Sequence, residues 1–449
     1  MSRQQSGKKV IFINPSWDRY VSKRGKRYNR YWPPLDLLSC AGMLQEQGIH
    51  CTVYDQRIGD SRCPPLEDFD FVFVTSSSLD RWQCPNLDLE LFAQRIRHFP
   101  DQKTYLLGAH GTMCPEEVAS TIGKAGLVRE EPEIPVLKIV LGESRETVPG
   151  LTYLDNGRVV SNPSGPLPAL DELAIPAYSL VDTGRYGYEL LGRNFALLET
   201  SRGCPHSCTY CYLGMYPKYR LKSPQRVVGE VQTVLSTTPT RNIYFIDLEF
   251  AIHQRHCNAV LDALIESELK FRWCCQTRAD SVDLTTLKKM KRAGCRLVHY
   301  GVEAGSRRVM EMTNKRLQLE DIGRAVRLTR EAGMHSACFF MLGFPTESEA
   351  EIRRTIDFAK EINPTYASFH VVTPYPDTQM YRDFEVGQAP HFIPESFPQA
   401  LPLAKLKSLE RRAYLQFYLR PSYLLSRLVK SPAESWRQLL LFTSFLTAR

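Results

Sequence analysis

Residues 201–212 read SRGCPHSCTYCY, and the C-x3-C-x2-C spacing of Cys204, Cys208 and Cys211 decides how the rest of the chain is read. Three thiolates on one short loop can each take a corner of a [4Fe–4S] cube. No fourth cysteine stands nearby, so one iron is left open to a ligand from outside the protein. A zinc site asks for two cysteine or histidine pairs. His206 lies inside the loop, but no second pair follows.

The loop comes directly after an apolar run at 195–199 (FALLE). Strand-like runs follow at 243–246, 271–276, 297–301, 338–342 and 366–372, with helical periodicity between them at 225–236, 284–293 and 319–332. Six βα units predict a partial (β/α)6 barrel, whose active site gathers at the carboxyl ends of the strands. Toward the N-terminus, apolar runs at 9–15, 51–55, 69–76, 104–107 and 136–141 alternate with helical stretches such as 34–47. Continuous apolar strands are those buried on both faces, so this part predicts a doubly wound, Rossmann-like α/β domain. Proline and turn formers fill 162–178 (NPSGPLPALDELAIPAY), which predicts an extended linker. The expected organisation is a first domain at 1–160, a linker at 161–190, a barrel at 191–400 and a helical basic tail at 401–449.

Four further motifs fall at predicted strand ends: FIDLEF at 245–250, QTRAD at 276–280, GVEAGS at 301–306 and MLGFPT at 341–346. With the cysteine loop they resemble the radical S-adenosylmethionine (SAM) superfamily over roughly residues 197–376. The resemblance implies that the open iron binds the amino and carboxylate groups of SAM, and that reduction cleaves SAM to a 5′-deoxyadenosyl radical. It assigns Tyr210 to the adenine and Asp247 or Glu249 to the amino group; related enzymes often carry two adjacent acids there, but here Leu248 separates them. It assigns Arg278, whose guanidinium can fork onto a carboxylate, to the SAM carboxylate. Gly301, Glu303, Gly305 and Ser306 are assigned to the ribose and methionine, and Gly343 to the neighbourhood of the adenine.

The first domain resembles the cobalamin-binding domain that precedes the barrel in one large class of radical SAM enzymes, which includes bacteriochlorophyll ring cyclases, hopanoid enzymes and carbon or phosphorus methyltransferases. The resemblance rests on PPLDLLSCAGMLQEQG at 33–48, CTVYD at 51–55, GAHGTMCPEEV at 108–118, LGES at 141–144 and PLPALDELAIPAY at 166–178. The D-x-H-x-x-G signature of classical cobalamin domains is missing, since Asp55 is followed by Gln56 and Arg57. The expected cobalamin contacts are Ser76 and Ser77, Gly108 and His110, and Gly142 and Glu143, each pair after a predicted strand. Cobalt is expected to carry no histidine, with His110 on the nucleotide tail or a propionamide. The implied chemistry is methyl transfer to an unactivated carbon. The alternatives are a cobalamin-dependent radical cyclase or carbon–carbon bond-forming enzyme, and a transfer-RNA methylthiotransferase, whose extra N-terminal cluster cysteines and C-terminal RNA-binding module are not seen.

Composition agrees with a folded enzyme: 449 residues, 43% hydrophobic and 24% charged. The 13 cysteines are scattered, which fits a reducing cytoplasm better than secretion. No apolar run approaches the ~18 residues of a membrane span. Residues 401–449 carry nine Lys/Arg against two Asp/Glu, so the basic helical tail is expected to touch anionic membrane surface weakly. A small-molecule, peptide or lipid substrate and an external electron donor of flavodoxin or ferredoxin type are the expected partners. No aromatic-interleaved basic strand points to nucleic acid.

Overall fold

The computed structural model describes residues 7–16, 31–58, 62–76, 89–387 and 395–430. Four apolar runs form parallel strands: β1 (Lys9–Asn14), β2 (His50–Asp55), β3 (Phe71–Thr75) and β4 (Thr104–Leu107). Unbroken burial of residues 10–13 and 72–74 is what a strand covered on both faces requires. With β5 (Gly126–Val128), β6 (Leu151–Asp155) and β7 (Arg158–Ser161) they make a seven-stranded sheet of order β2-β1-β3-β4-β5-β6-β7. The first five strands are parallel and β6 and β7 antiparallel. The winding reverses between β1 and β3, where the carboxyl ends frame a ligand crevice.

One predicted strand is corrected. Residues 136–141 belong to the helix Glu133–Leu141. The run is apolar on most of its circumference, which hides the periodicity that would separate a buried helix from a buried strand. Its punctuation was helical: Pro135 stands in the first turn, and Gly142, at φ 91°, ends it. The N–H groups of Gly142 and Glu143 donate to the Lys138 carbonyl at 3.2 and 3.1 Å. Lys8, just before β1, donates to the Val140 carbonyl at 2.6 Å. Gly142 and Glu143 therefore sit at the amino edge of the sheet, opposite the crevice, and are not cobalamin contacts there. The strand that does follow β4 is β5, three residues long and too short to show a pattern.

The linker lies along the helix Leu35–Glu46: Ala177 N–H donates to the Leu38 carbonyl at 2.9 Å, and the Ile175 carbonyl fills the place of a side chain on Gly42. Trp32, Leu35 and Leu38 of the first domain enter the barrel core, where Trp32 meets Tyr188 and Tyr244 edge-on at 5.2 and 5.5 Å.

The barrel has six parallel strands in sequence order: β8 (Phe195–Leu198), β9 (Asn242–Phe245), β10 (Arg272–Thr277), β11 (Cys295–Glu303), β12 (His335–Leu342) and β13 (Tyr366–Val371). Such a barrel is open, and its edge strands β8 and β13 carry backbone groups without a ladder partner. Tyrosine hydroxyls take them up at both edges. Tyr178 Oη accepts from Leu197 N at 2.8 Å and donates to Leu197 O at 2.5 Å. Tyr418 Oη accepts from Ala367 N at 3.0 Å and donates to Ala367 O at 2.8 Å, while Tyr414 Oη accepts from Phe369 N at 3.1 Å.

Tyr414 and Tyr418 belong to the helix Leu403–Tyr418, which buries Leu406, Leu409, Ala413 and Phe417. The first half of the basic tail thus includes a helix that packs on the barrel through one face. Residues 431–449 lie outside the described residues. Among the described residues no helix is long and apolar enough to cross a membrane.

Removing the Tyr178 or Tyr418 hydroxyl strands a buried N–H and C=O. Tyr178→Phe and Tyr418→Phe are each expected to lower stability by about 1–3 kcal/mol, read as a lower urea midpoint with unchanged iron uptake. Unshifted midpoints would mean that water serves these edges.

Candidate functional site

The cysteine loop is tied at its base. Ser201 and Arg202 pair antiparallel with Leu221 and Arg220, and Gly203 turns the chain at φ 76°, where a Cβ would lie 2.5 Å from the Lys218 carbonyl. Its far side rests on residues 312–314. Thr209 N and Oγ1 donate to the carbonyls of Thr313 and Met312, both at 3.0 Å, and Asn314 Nδ2 donates to Ser207 O at 3.1 Å. Met380 N closes the ring on Thr209 O at 2.8 Å.

Cys204, Cys208 and Cys211 are free thiols held together on this loop. Burial raises the Cys204 thiol to about 11 and pushes Cys208 and Cys211 up, and Cys208 and Cys204 raise Cys211 further by repulsion between thiolates. Three mutually repelling, half-buried thiolates fit a cationic iron–sulfide core. Among the described residues no three His, Cys, Asp or Glu side chains converge as a single metal ion requires; a cube takes one thiolate at each of three irons and needs no such convergence.

Strand ends bring four charged groups to the loop. Asp247 is already spent: it accepts from Thr200 N at 3.1 Å, Thr200 Oγ1 at 2.7 Å and Ser201 Oγ at 2.5 Å, and so anchors the start of the cysteine loop. Glu249, two residues on, is half-buried, and its buried Oε2 has no partner among the described residues. Burial raises its carboxyl to about 7, against the pull of Lys315 and Arg278. Of the two acids the sequence offered, Glu249 is the one with an oxygen to give.

Arg278 already has partners in the site. Its Nε and Nη2 fork onto Asp280 at 2.9 and 2.7 Å, and Nη1 donates to the Lys315 carbonyl at 2.8 Å. Glu303 stands at φ 69° and pairs with the buried Lys315 Nζ at 2.5 Å. Burial and the nearby Glu303 push the Tyr210 phenol up, and its ring meets Phe344 edge-on at 5.9 Å. A Cβ on Gly301 would lie 2.7 Å from both Glu303 Oε1 and Lys315 Nζ, so this glycine makes room for the ion pair.

Gly305, Ser306 and Gly343 have other work. A Cβ on Gly305 would lie 2.8 Å from Thr355 and Phe358 of the helix Glu349–Ile362, so the glycine permits helix packing. Ser306 Oγ donates to Glu351 on the same helix at 3.1 Å. A Cβ on Gly343, at φ 86°, would lie 2.6 Å from Leu406, and its N–H donates to Glu347 at 2.7 Å. Lys315 and the loop around it were missed: residues 312–316 carry no motif, and only their contacts in three dimensions mark them.

The first domain meets this site at its crevice edge. Ala109, after β4, packs with Met215 and Tyr216 and against Tyr212, all just beyond the last cluster cysteine. Gly108 stands at φ 113°, where only glycine is comfortable. His110 is buried with Nδ1 unpartnered, and burial holds its imidazole down to about 4. Ser76 Oγ donates to Leu107 O at 2.9 Å. Ser77 lies outside the described residues. Arg57, two residues after Asp55, forks back onto Asp55 at 3.0 and 2.7 Å, so no imidazole stands at this strand end. Arg202 crosses the junction: Nη1 and Nη2 reach Glu131 and Glu133 of the first domain, both at 2.6 Å, and Nε reaches Glu199 at 2.9 Å.

The sequence profile of the Radical SAM superfamily matches residues 198–359, and the barrel is a radical SAM domain. The whole chain is similar to an uncharacterized methyltransferase from Pyrococcus horikoshii, 28% identical over 88% of this chain and 89% of the relative. It is also similar to the anaerobic magnesium-protoporphyrin IX monomethyl ester cyclase of Rubrivivax gelatinosus, 24% identical over 93% of this chain and 78% of the relative. Its two-domain fold is shared with the radical SAM methyltransferase TsrM from Kitasatospora setae, solved with cobalamin and a [4Fe–4S] cluster, at a TM-score of 0.64, 19% identity and coverage of 85% and 74% of the two chains.

Anaerobically reconstituted protein is expected to hold about four iron and four sulfide, and Cys208→Ala to hold none. Glu249→Gln should keep its iron and weaken SAM binding about tenfold or more, whereas Asp247→Asn should lower iron content by loosening the loop. Equal SAM affinity in wild type and Glu249→Gln would show that the other acid serves SAM.

Proposed function

We propose that this chain is a cobalamin-dependent radical SAM enzyme that transfers a methyl group to an unactivated carbon of a small-molecule substrate. When bound, the cluster delivers an electron that cleaves SAM to the 5′-deoxyadenosyl radical, and cobalamin carries the methyl group. The observation that carries this reading is the packing of Ala109 on Met215 and Tyr216, which brings the crevice edge of the first sheet against the residues that follow the cluster cysteines. Cys204, Cys208 and Cys211 hold the cluster, and Glu249 receives the SAM ammonium. Tyr212, Met215 and Tyr216 keep water from the gap between the two cofactors. Gly108 and His110 would line the cobalamin site, where His110 would offer a hydrogen bond from its buried imidazole. The relative from Pyrococcus horikoshii is named a methyltransferase and the one from Rubrivivax gelatinosus a cyclase. The cyclase name keeps ring closure as the second reading. The electron donor is a flavodoxin or ferredoxin, and the free thiols and oxygen-sensitive cluster fit the reducing cytoplasm.

The protein is expected to take up about one cobalamin with a base-off spectrum and, with SAM and reductant, to form 5′-deoxyadenosine. Extracts of cells with and without the gene should differ by a product heavier by one CH2 unit. A product that lost hydrogen and gained no carbon would favour ring closure. Failure to bind cobalamin would overturn the proposal.

A further inference from the structure

The crevice edge of the first sheet and the cluster loop are joined by a chain of polar contacts as well as by packing. The helical turn Ala109–Met113 follows β4 at that edge. Its Thr112 donates from Oγ1 to the Gly108 carbonyl at 3.2 Å and accepts from Glu130 N at 2.9 Å. A Cβ on Gly111 would collide with Leu127 of β5, so the turn lies close against the strand that leads to Glu130. Glu130 stands at φ 59°, a conformation that a non-glycine residue keeps only where its surroundings hold it. Pro132 stiffens the next step and precedes the helix Glu133–Leu141. Glu131 and Glu133, one on each side of Pro132, reach the two terminal nitrogens of Arg202.

All three of these charged residues are buried. Burial works against the Arg202 charge, but Glu133, Glu199 and Glu131 outweigh it and keep the guanidinium protonated. Two residues beyond Arg202 stands Cys204, the first cluster cysteine. Among the described residues the loop tip rests on hydrogen bonds to residues 312–314 and 380. Iron at the three thiolates adds a second set of anchors. A loop so fixed holds Arg202, Arg202 holds the two acids, and Thr112 carries the restraint to Gly108 and His110. A site that is already ordered binds its ligand at a smaller entropic cost.

We propose that Arg202 is a positioning residue that links the two cofactor sites, so that a filled cluster loop tightens cobalamin binding and bound cobalamin tightens iron retention. The inference rests on the cobalamin reading of the crevice. Aquacobalamin is titrated by anaerobic equilibrium dialysis, without SAM or reductant, into iron-loaded protein and into protein stripped of iron by a chelator. Iron-loaded wild type should bind it about tenfold tighter. Reciprocally, removing half the iron should take more chelator when cobalamin is bound. Glu133→Gln and Thr112→Val lie in the first domain, away from the cysteines, and should bring the two affinities to near equality. Arg202→Gln should do the same. Arg226→Lys disturbs the charge network on the barrel side, at Glu230, and should keep the preference. A purely structural role for Arg202 would weaken cobalamin binding alike with and without iron. Equal affinities in wild type, or a preference retained in Glu133→Gln or Thr112→Val, would overturn the linkage. If Arg202→Gln does not load iron, the two first-domain variants carry the comparison. Wild type that binds no cobalamin in either state would count against the cobalamin reading itself.

Discussion

Arg202 is the contact on which the site's geometry depends. It lies two residues before Cys204 and is buried among Glu131, Glu133 and Glu199, with its guanidinium 5.7 Å from the Tyr216 ring. Arg220 adds a second cation to Glu131, and Lys222 and Arg226 converge on Glu230 beside it. Burying so many charges is costly unless every one is met, and deleting one partner of such a set typically costs about 3–5 kcal/mol because its counter-charges stay buried. The network therefore selects one arrangement of the two domains. That arrangement presses the turn after β4 against the residues after Cys211. A hydrophobic interface of the same area would hold the domains together but leave sliding cheap; two directed hydrogen bonds across the junction from one planar guanidinium, fixed by a third to Glu199, do not.

The cysteine loop, the six barrel strands and four strands of the first sheet were legible because their signals are local: a spacing, an apolar run, a glycine at a strand end. The helix Glu133–Leu141 was misread because burial on most faces erased its period, and Gly142 and Glu143 were carried to the wrong edge with it. Gly305 and Ser306 were read as ligand contacts, yet their positions answer to the helix Glu349–Ile362. A glycine after a strand says that something approaches closely. It does not say whether that is a cofactor or the next helix.

The acids of FIDLEF make the same point about charge. Asp247 and Glu249 are two residues apart at one strand end, and sequence alone gives them equal claims. Hydrogen bonds divide them: Thr200 and Ser201 donate to Asp247, and Glu249 keeps one oxygen unmet among the described residues. A buried acceptor without a partner is expensive, so natural structures tolerate few. Those that persist beside a cluster loop mark the place where a ligand supplies the missing donor. Lys315 was invisible for the complementary reason: Arg278 holds its carbonyl across 37 residues, and Thr209 holds that of nearby Met312 across 103.

The open barrel links these details to access. Six strands leave a gap between β8 and β13, and a gap between two bare edges invites pairing with another chain. Tyr178 closes one edge from the linker, and Tyr414 and Tyr418 close the other from the helix Leu403–Tyr418. Hydroxyls, not further strands, meet Leu197 on one edge and Ala367 and Phe369 on the other, so the barrel is protected there without being filled. On the face of β11, β12 and β13 that carries His299, Gly301, Phe339 and Met341 stay partly exposed and His370 exposed. The elements that sequence patterning called linker and tail are thus what allow a partial barrel to keep its interior open beside the cluster loop.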